Sequence, residues 1–242
     1  MKIATCQMPD VQDDSAEAIR CIRSLAEVAA AQGVQLLVFP EGYLQGYTSN
    51  DETKARRRAL NLSSSDFLAI LHQLVSCKPI IVLGLIETQD DTLYNTAVVI
   101  DQGKLIGSYR KTHPNERFFQ AGTEYPVFRI GKTKFGINIC NDANFREAAA
   151  RLVNQGAEII VYPLNNMLRA ETAERWRDKH TENLIARAKE TGAWVVSADV
   201  VGKREDRVAY GCSAIVNPNG RLEARVTESS PGMVVVDIQK ET

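Results

Sequence analysis

The 242-residue chain lacks the marks of several protein classes. Its five cysteines, Cys6, Cys21, Cys77, Cys140 and Cys212, never fall into C-x-x-C spacing, and its three histidines, His72, His113 and His180, lie far apart. No disulfide framework, zinc site or other metal centre is therefore expected. The longest apolar run, Ile80 to Ile86, is interrupted by one glycine and is too short to cross a bilayer, and Met1 to Cys6 has no apolar signal core. Charge of one sign is missing as well. The formal net charge is -1, with lysine and arginine spread along the chain rather than gathered into a basic stripe. These absences argue against nucleic-acid and membrane partners and lead to the expectation of a soluble, cytoplasmic chain acting on small molecules.

What is present suits a single domain over residues 1–242, since a 44% hydrophobic composition supports a substantial core. Residues 2–7 read as a strand. Asp14 and Glu17 open a helix whose apolar positions Ala18, Ile22, Leu25, Ala26 and Ala29 keep helical spacing until Gly33 stops it. Val34 to Phe39 is then a short apolar run ended by Pro40, the pattern of a strand buried on both faces. Helices are expected over 52–61 and 65–77, and strands over 80–86, 94–100 and 104–110. A long helix over 171–191 precedes strands over 193–198, 208–216, 221–226 and 232–238. One internal echo stands out: Gln32 to Pro40 recurs as Gln155 to Pro163, with glycine stop, strand and proline all in register. Two similar half-units are the expected origin. About ten to twelve strands would make one open sheet unusually wide, so the expected architecture is α/β, two mixed sheets packed face to face with helices outside, a four-layer αββα sandwich.

Lys134 to Glu147 is the stretch most suited to chemistry. It reads as a buried strand, a tight turn at Cys140, Asn141 and Asp142, and then a helix, with Asn144 and Glu147 spaced as a capping box. A cysteine where strand gives way to helix is held still beside unpaired backbone N–H groups that can receive a developing oxyanion. Glu41 follows the strand that ends at Pro40, and Lys111 follows the strand over 104–110. Since open α/β sheets place ligand sites outside the carboxyl ends of their strands, Glu41, Lys111 and Cys140 share one edge. A carboxylate beside a thiol takes its proton, and an ammonium beside both favours thiolate and meets negative charge building on the substrate. That set supports acyl transfer without histidine. His113 is read as a holder of the lysine loop, and His180 as a structural residue on the inward face of its helix.

The sequence resembles the nitrilase superfamily of carbon-nitrogen hydrolases along nearly its whole length. Phe39-Pro40-Glu41 is similar to the family's glutamate motif, Tyr109 to His113 to its lysine motif, and Gly136 to Asp142 with Phe145 and Glu147 to its cysteine motif. The resemblance implies a Glu-Lys-Cys triad of Glu41, Lys111 and Cys140, no metal or organic cofactor, and a homodimer or larger homo-oligomer joined through helices. It also implies a second glutamate, for which Glu116 ahead of Arg117-Phe118-Phe119 is the candidate, although the segment from Lys111 is shortened. Arg146 and Asn141 depart from the proline and aromatic residue common at those places. The segment from Tyr43 to Tyr47 and Asn165-Asn166-Met167 are expected to border the pocket, with Tyr47, Asn141 and Asn165 as candidate substrate-binding residues. The implied activity is hydrolysis of a small linear amide, with N-carbamoyl compounds and nitriles as alternatives. An inactive scaffold is the alternative of a different class.

Overall fold

The computed structural model describes residues 1–238, so the last four residues of the expected 1–242 domain lie outside the described residues. In chain order the elements are β1 (Lys2–Pro9), α1 (Ser15–Ala31), β2 (Val34–Val38), α2 (Glu52–Arg58), α3 (Ser65–Gln73), β3 (Ile80–Gln89), β4 (Thr92–Asp101), β5 (Lys104–Arg110), β6 (Val127–Ile130) and β7 (Thr133–Ile137). A 3-10 turn, Cys140–Asn144, leads into α4 (Arg146–Asn154), β8 (Ile159–Pro163), β9 (Leu168–Arg169), α5 (Ala170–Trp176) and α6 (Lys179–Thr191). The chain then runs through β10 (Trp194–Ala198), β11 (Val200–Arg204), β12 (Arg207–Ala209), β13 (Ala214–Val216), β14 (Leu222–Arg225) and β15 (Gly232–Asp237).

One sheet has the order β5-β4-β3-β2-β1-β11-β12-β9, with β15 also paired to β1; the other has the order β14-β13-β10-β8-β7-β6. Each is mixed: β1, β2 and β3 are parallel in the first, β7, β8 and β10 in the second, and hairpins extend both. Alternation along the strands decides the layers. Leu36 and Val38 of β2 meet Ile159 and Val161 of β8 in the core between the sheets. Leu37 instead packs outward with Ile19, Ile22 and Ala26 of α1 and Phe67 of α3. Ile160 and Tyr162 pack outward with Leu152 of α4 and Leu184 and Ala188 of α6. The result is the αββα sandwich, and the two copies of the internal echo occupy equivalent places in opposite sheets.

Several boundaries differ from the sequence reading. Helix α2 stops at Arg58 and α3 at Gln73. The expected helix over 171–191 breaks between α5 and α6, where the Arg177 amide bonds the Glu174 carbonyl in a tight turn and the guanidinium is tied to Glu228 at 2.6 Å. The expected strand over 208–216 is two strands in different sheets. Gly211 turns the chain between them at φ 84°, close against the Gln7 side chain where a Cβ would collide. The capping box at Asn144 and Glu147 does not form: the residue before α4 is Phe145, and Asn144 bonds Asn141 and Asn183 instead. Among the described residues no helix is long and apolar enough to cross a membrane.

Candidate active site

Pro40 ends the β2 run, and the Glu41 amide donates to the Leu164 carbonyl at 3.1 Å, so the ends of the two echoed strands are stitched together. Gly84 of β3 lies against this turn. A Cβ there would collide with the Pro40 carbonyl and stand 2.7 Å from the Glu41 Cα, so only glycine lets the segment lie so close. The Glu41 carboxylate is 1% exposed and its Oε1 accepts from Lys111 Nζ and from Asn95 Nδ2, each at 2.7 Å. Lys111 is 2% exposed and leaves β5 with its amide bonded to the Asn95 carbonyl. Asn95 thus holds both partners from the middle strand of a hairpin pair.

Cys140 begins the 3-10 turn at φ 42°, a left-handed conformation uncommon for a residue with a Cβ. The first bond within the turn runs from the Asp142 amide to the Ile139 carbonyl, so the amides of Cys140 and Asn141 precede it. Asp142, fully buried, clamps this turn to the lysine loop. Its carboxylate accepts from Tyr109 Oη at 2.8 Å, the Ile139 amide at 2.8 Å, Thr112 Oγ1 at 3.1 Å and the His113 amide at 2.9 Å. His113 Nδ1 lies 2.9 Å from the same carboxylate, and its ring stacks on Phe145 with centroids 3.7 Å apart. His113 here ties the lysine loop to the cysteine turn.

Cys140, Glu41, Lys111 and Glu116 line one cavity of about 300 Å³. Tyr47, Asn141 and Asn165 line it too, whereas Tyr43 does not: its ring stacks on Phe39 in the core under α1. His180 and Trp176 form part of the opposite wall, so the inward face of α6 looks into the cavity. Four groups were not singled out from sequence. Asn95 is a buried polar residue inside an apolar strand. Asp199 follows the carboxyl end of β10, the same placement that drew attention to Glu41, Lys111 and Cys140. Its fully buried carboxylate accepts from the Asn166 amide at 3.0 Å and from Asn166 Nδ2 at 2.6 Å, which fixes the loop carrying Asn165. Arg204 and Arg207 reach the cavity from the β11–β12 hairpin. Among the described residues, no group of three or more His, Cys, Asp or Glu side chains is placed to hold a metal ion.

Burial dominates the electrostatics. It pushes the Glu41 carboxyl up from its ordinary value; the Lys111 ammonium opposes this and Glu116 adds to it. Burial works against the Lys111 charge, but the Glu41 carboxylate, the Cys140 sulfur and Glu116 outweigh it and hold the ammonium above the usual lysine range. The Cys140 thiol is driven well above its ordinary value, first by burial and then by Glu41; Lys111 and the Asn165 amide pull it back only in part. The Lys111 ammonium does favour thiolate, as the sequence reading expects, but burial and the Glu41 carboxylate act against it and the net direction is upward. Thiol acidity does not distinguish Cys140 from Cys212, pushed up to about 12 by burial. What distinguishes it is a cavity that it shares with a buried carboxylate and a buried ammonium. His180 is pushed down to about 4 by burial and is uncharged at neutral pH.

A profile of the carbon-nitrogen hydrolase family matches residues 2–242. The nitrilase of Pyrococcus abyssi is 31% identical over 251 residues, an alignment that covers 98% of this chain and 90% of that protein. A mutant form of the Nesterenkonia AN1 amidase from the nitrilase superfamily superposes with a TM-score of 0.84 at 25% identity, over 99% of this chain and 91% of that one. The glutamine-dependent NAD(+) synthetase of Xylella fastidiosa (strain Temecula1) is 29% identical over 234 residues, and there the alignment takes in 91% of this chain but only 41% of the relative.

Proposed function

Because the chain belongs to the carbon-nitrogen hydrolase family, we propose that it hydrolyses the non-peptide carbon–nitrogen bond of a small linear amide through a thioester on Cys140. The observation that carries this reading is the buried 2.7 Å pair of Lys111 Nζ and Glu41 Oε1 opening on the cavity that also holds the Cys140 thiol. Glu41 takes the thiol proton as sulfur attacks the carbonyl carbon, so charge on sulfur never has to persist in the buried site. The carbonyl π electrons move to oxygen, and the Lys111 ammonium meets that charge. Glu41 then returns its proton to the nitrogen, the C–N bond breaks, and ammonia or an amine leaves. Water, deprotonated by Glu41, adds to the thioester; the sulfur departs with the proton, and a carboxylic acid is released.

Glu116 supports an orienting role. Its Oε2 is buried and accepts no hydrogen bond from the described residues, which suits an N–H of the substrate amide as donor. A carbamoyl compound presents the same N–H groups and is the second substrate type under this reading; a nitrile presents none. By the family resemblance, the working unit is a homodimer or larger assembly meeting through α4, α5 and α6. Among the described residues the exposed large apolar side chains, such as Leu68, Val75 and Ile106, lie outside α4, α5 and α6.

The test is a panel of amides, carbamoyl compounds and nitriles assayed with wild type and Cys140→Ala. Loss of hydrolysis with retained circular dichroism and melting temperature is expected for Cys140→Ala, while Cys6→Ala, Cys21→Ala and Cys212→Ala keep a working site. More than trace activity in Cys140→Ala on a verified substrate removes Cys140 as nucleophile.

A further inference from the structure

The β11–β12 hairpin carries an arrangement that packing alone does not favour. In the antiparallel registers, Arg204 of β11 stands opposite Arg207 of β12, and Arg207 stands opposite Arg169 of β9. Directly opposed residues of neighbouring strands share one face of the sheet, so three guanidinium groups form a row, and like charges in such positions destabilise a sheet. The outer two are compensated. Arg204 lies 3.2 Å from Asp10, and Arg169 lies 3.6 Å from Asp206. Arg207, the middle one, has no carboxylate partner among the described residues; its guanidinium donates to the Met167 carbonyl at 3.1 Å and, with the Asn50 amide turned to satisfy both its atoms, to the Asn50 side-chain oxygen at 2.6 Å, both neutral acceptors. Arg207 and Arg204 both line the cavity that contains Cys140.

The charges within that cavity are unevenly divided. The buried Glu41 has Lys111 as its counter-ion, with Glu116 close enough to act on both. The arginine end is more open, with the Arg204 side chain 27% exposed. Met167, Leu164, Trp176 and Leu184 supply apolar wall, and His180 is uncharged at neutral pH. A ligand filling this space meets the Cys140 thiol, apolar wall and a planar cation. The guanidinium fork matches a carboxylate in two parallel hydrogen bonds, and half-buried placement keeps that interaction from being screened away. A volume of about 300 Å³ admits only a short chain.

From this juxtaposition we infer that the substrate is a short amide whose far end carries a carboxylate, and that Arg207, assisted by Arg204, selects for that group. The inference rests on the amide-hydrolase reading for what happens at Cys140, but the anion site stands on the hairpin and cavity alone. Arg207 is a specificity residue; it touches the part of the substrate that does not react.

The test compares glutaramic acid with valeramide, the neutral amide of equal chain length, in wild type, Arg207→Gln and Arg207→Lys. Wild type is expected to favour glutaramic acid in kcat/KM by about 10- to 100-fold, the worth of one hydrogen-bonded charge pair, expressed mainly in KM. Arg207→Gln should bring the ratio close to one, and Arg207→Lys should keep a substantial part of it. Calorimetric titration with glutaric acid supplies a readout that needs no turnover: binding to wild type, weakened by a similar factor in Arg207→Gln. A wild-type ratio near one, a ratio that Arg207→Gln leaves unchanged, or glutaric acid binding indifferent to Arg207→Gln overturns the inference. If neither amide is hydrolysed while glutaric acid still binds through Arg207, the hydrolase reading fails and the anion site is upheld.

Discussion

Under the proposed mechanism the Lys111 ammonium has two jobs, and replacing Lys111 with glutamine separates them. As the counter-ion of Glu41, at 2.7 Å with both groups almost fully buried, it opposes the burial that pushes the Glu41 carboxyl up. As the proposed oxyanion donor it would meet charge that exists only in the transition state. Losing one such donor costs about 100- to 1,000-fold in turnover, or about 3 to 4 kcal/mol. Losing the counter-ion raises the Glu41 pKa further. Since Glu41 accepts a proton only when ionised, the acid limb of the pH–rate profile moves to higher pH in Lys111→Gln. Raising the pH then restores the base but not the missing positive charge, so turnover climbs to a plateau still about 100-fold or more below wild type. Breaking a buried pair also costs about 3 to 5 kcal/mol of stability, so a thermal melt must show the variant folded at the assay temperature. Lys111→Arg is not expected to rescue, because a planar fork does not place its charge where a compact ammonium sits. The assay is turnover and iodoacetamide labelling of Cys140 on one pH axis from about pH 6 to about pH 10. Recovery of turnover to near wild type, in step with labelling, would refute the oxyanion role and leave Lys111 as a modifier of its neighbours' ionisation.

Other consequences follow from the buried carboxylates and the assembly. Asp142→Asn puts an amide NH2 among donors that now share one carboxylate, so urea denaturation should show a loss of about 1 to 3 kcal/mol and turnover should fall as the cysteine turn and lysine loop separate; unchanged stability would dissociate Asp142 from that clamp. The Asp199 carboxyl is raised from 3.8 to about 6 by burial, so the folded state holds its proton more tightly than the unfolded chain. Its contribution to stability is therefore full below about pH 4 and declines by about 3 kcal/mol as pH rises through 6. The unfolding free energy of wild type relative to Asp199→Asn should fall across that window, and a flat difference would contradict it. Light scattering at micromolar concentration should report a dimer or larger species; monomer alone counts against the assembly.

The parts of this site legible in the sequence are those fixed by local chain direction. Pro40 and Pro163 end apolar runs, Gly33 and Gly156 stop helices, and these markers locate strand ends well enough to group Glu41, Lys111 and Cys140. The same markers exposed the echoed half-units, because period-two alternation sends Leu36 and Ile159 to one side and Leu37 and Ile160 to the other. What escaped depends on tertiary placement. Asn95 bonds Glu41 across a gap of 54 residues, and nothing in its strand tells which partner it finds. The arginine row exists only once β11, β12 and β9 are in register, and β9 is too short to carry a pattern. The split of residues 208–216 between two sheets preserves strand-like composition on both sides of Gly211. Asn144 has capping chemistry, yet the 3-10 turn runs through it and puts Phe145, one residue later, at the cap.

The central claim is that a carbon–nitrogen bond breaks at the sulfur of Cys140, and intact-protein mass spectrometry addresses it without any assumption about the best substrate. Acid quenching during turnover of amide and carbamoyl compounds, followed by peptide mapping, should show a mass increase equal to the acyl group, confined to the peptide bearing Cys140 and absent from Cys140→Ala. Glu41→Gln should accumulate no acyl adduct, since the neutral thiol then has no base. Turnover without an adduct under rapid quench, or an acyl group on any other residue, would contradict the account.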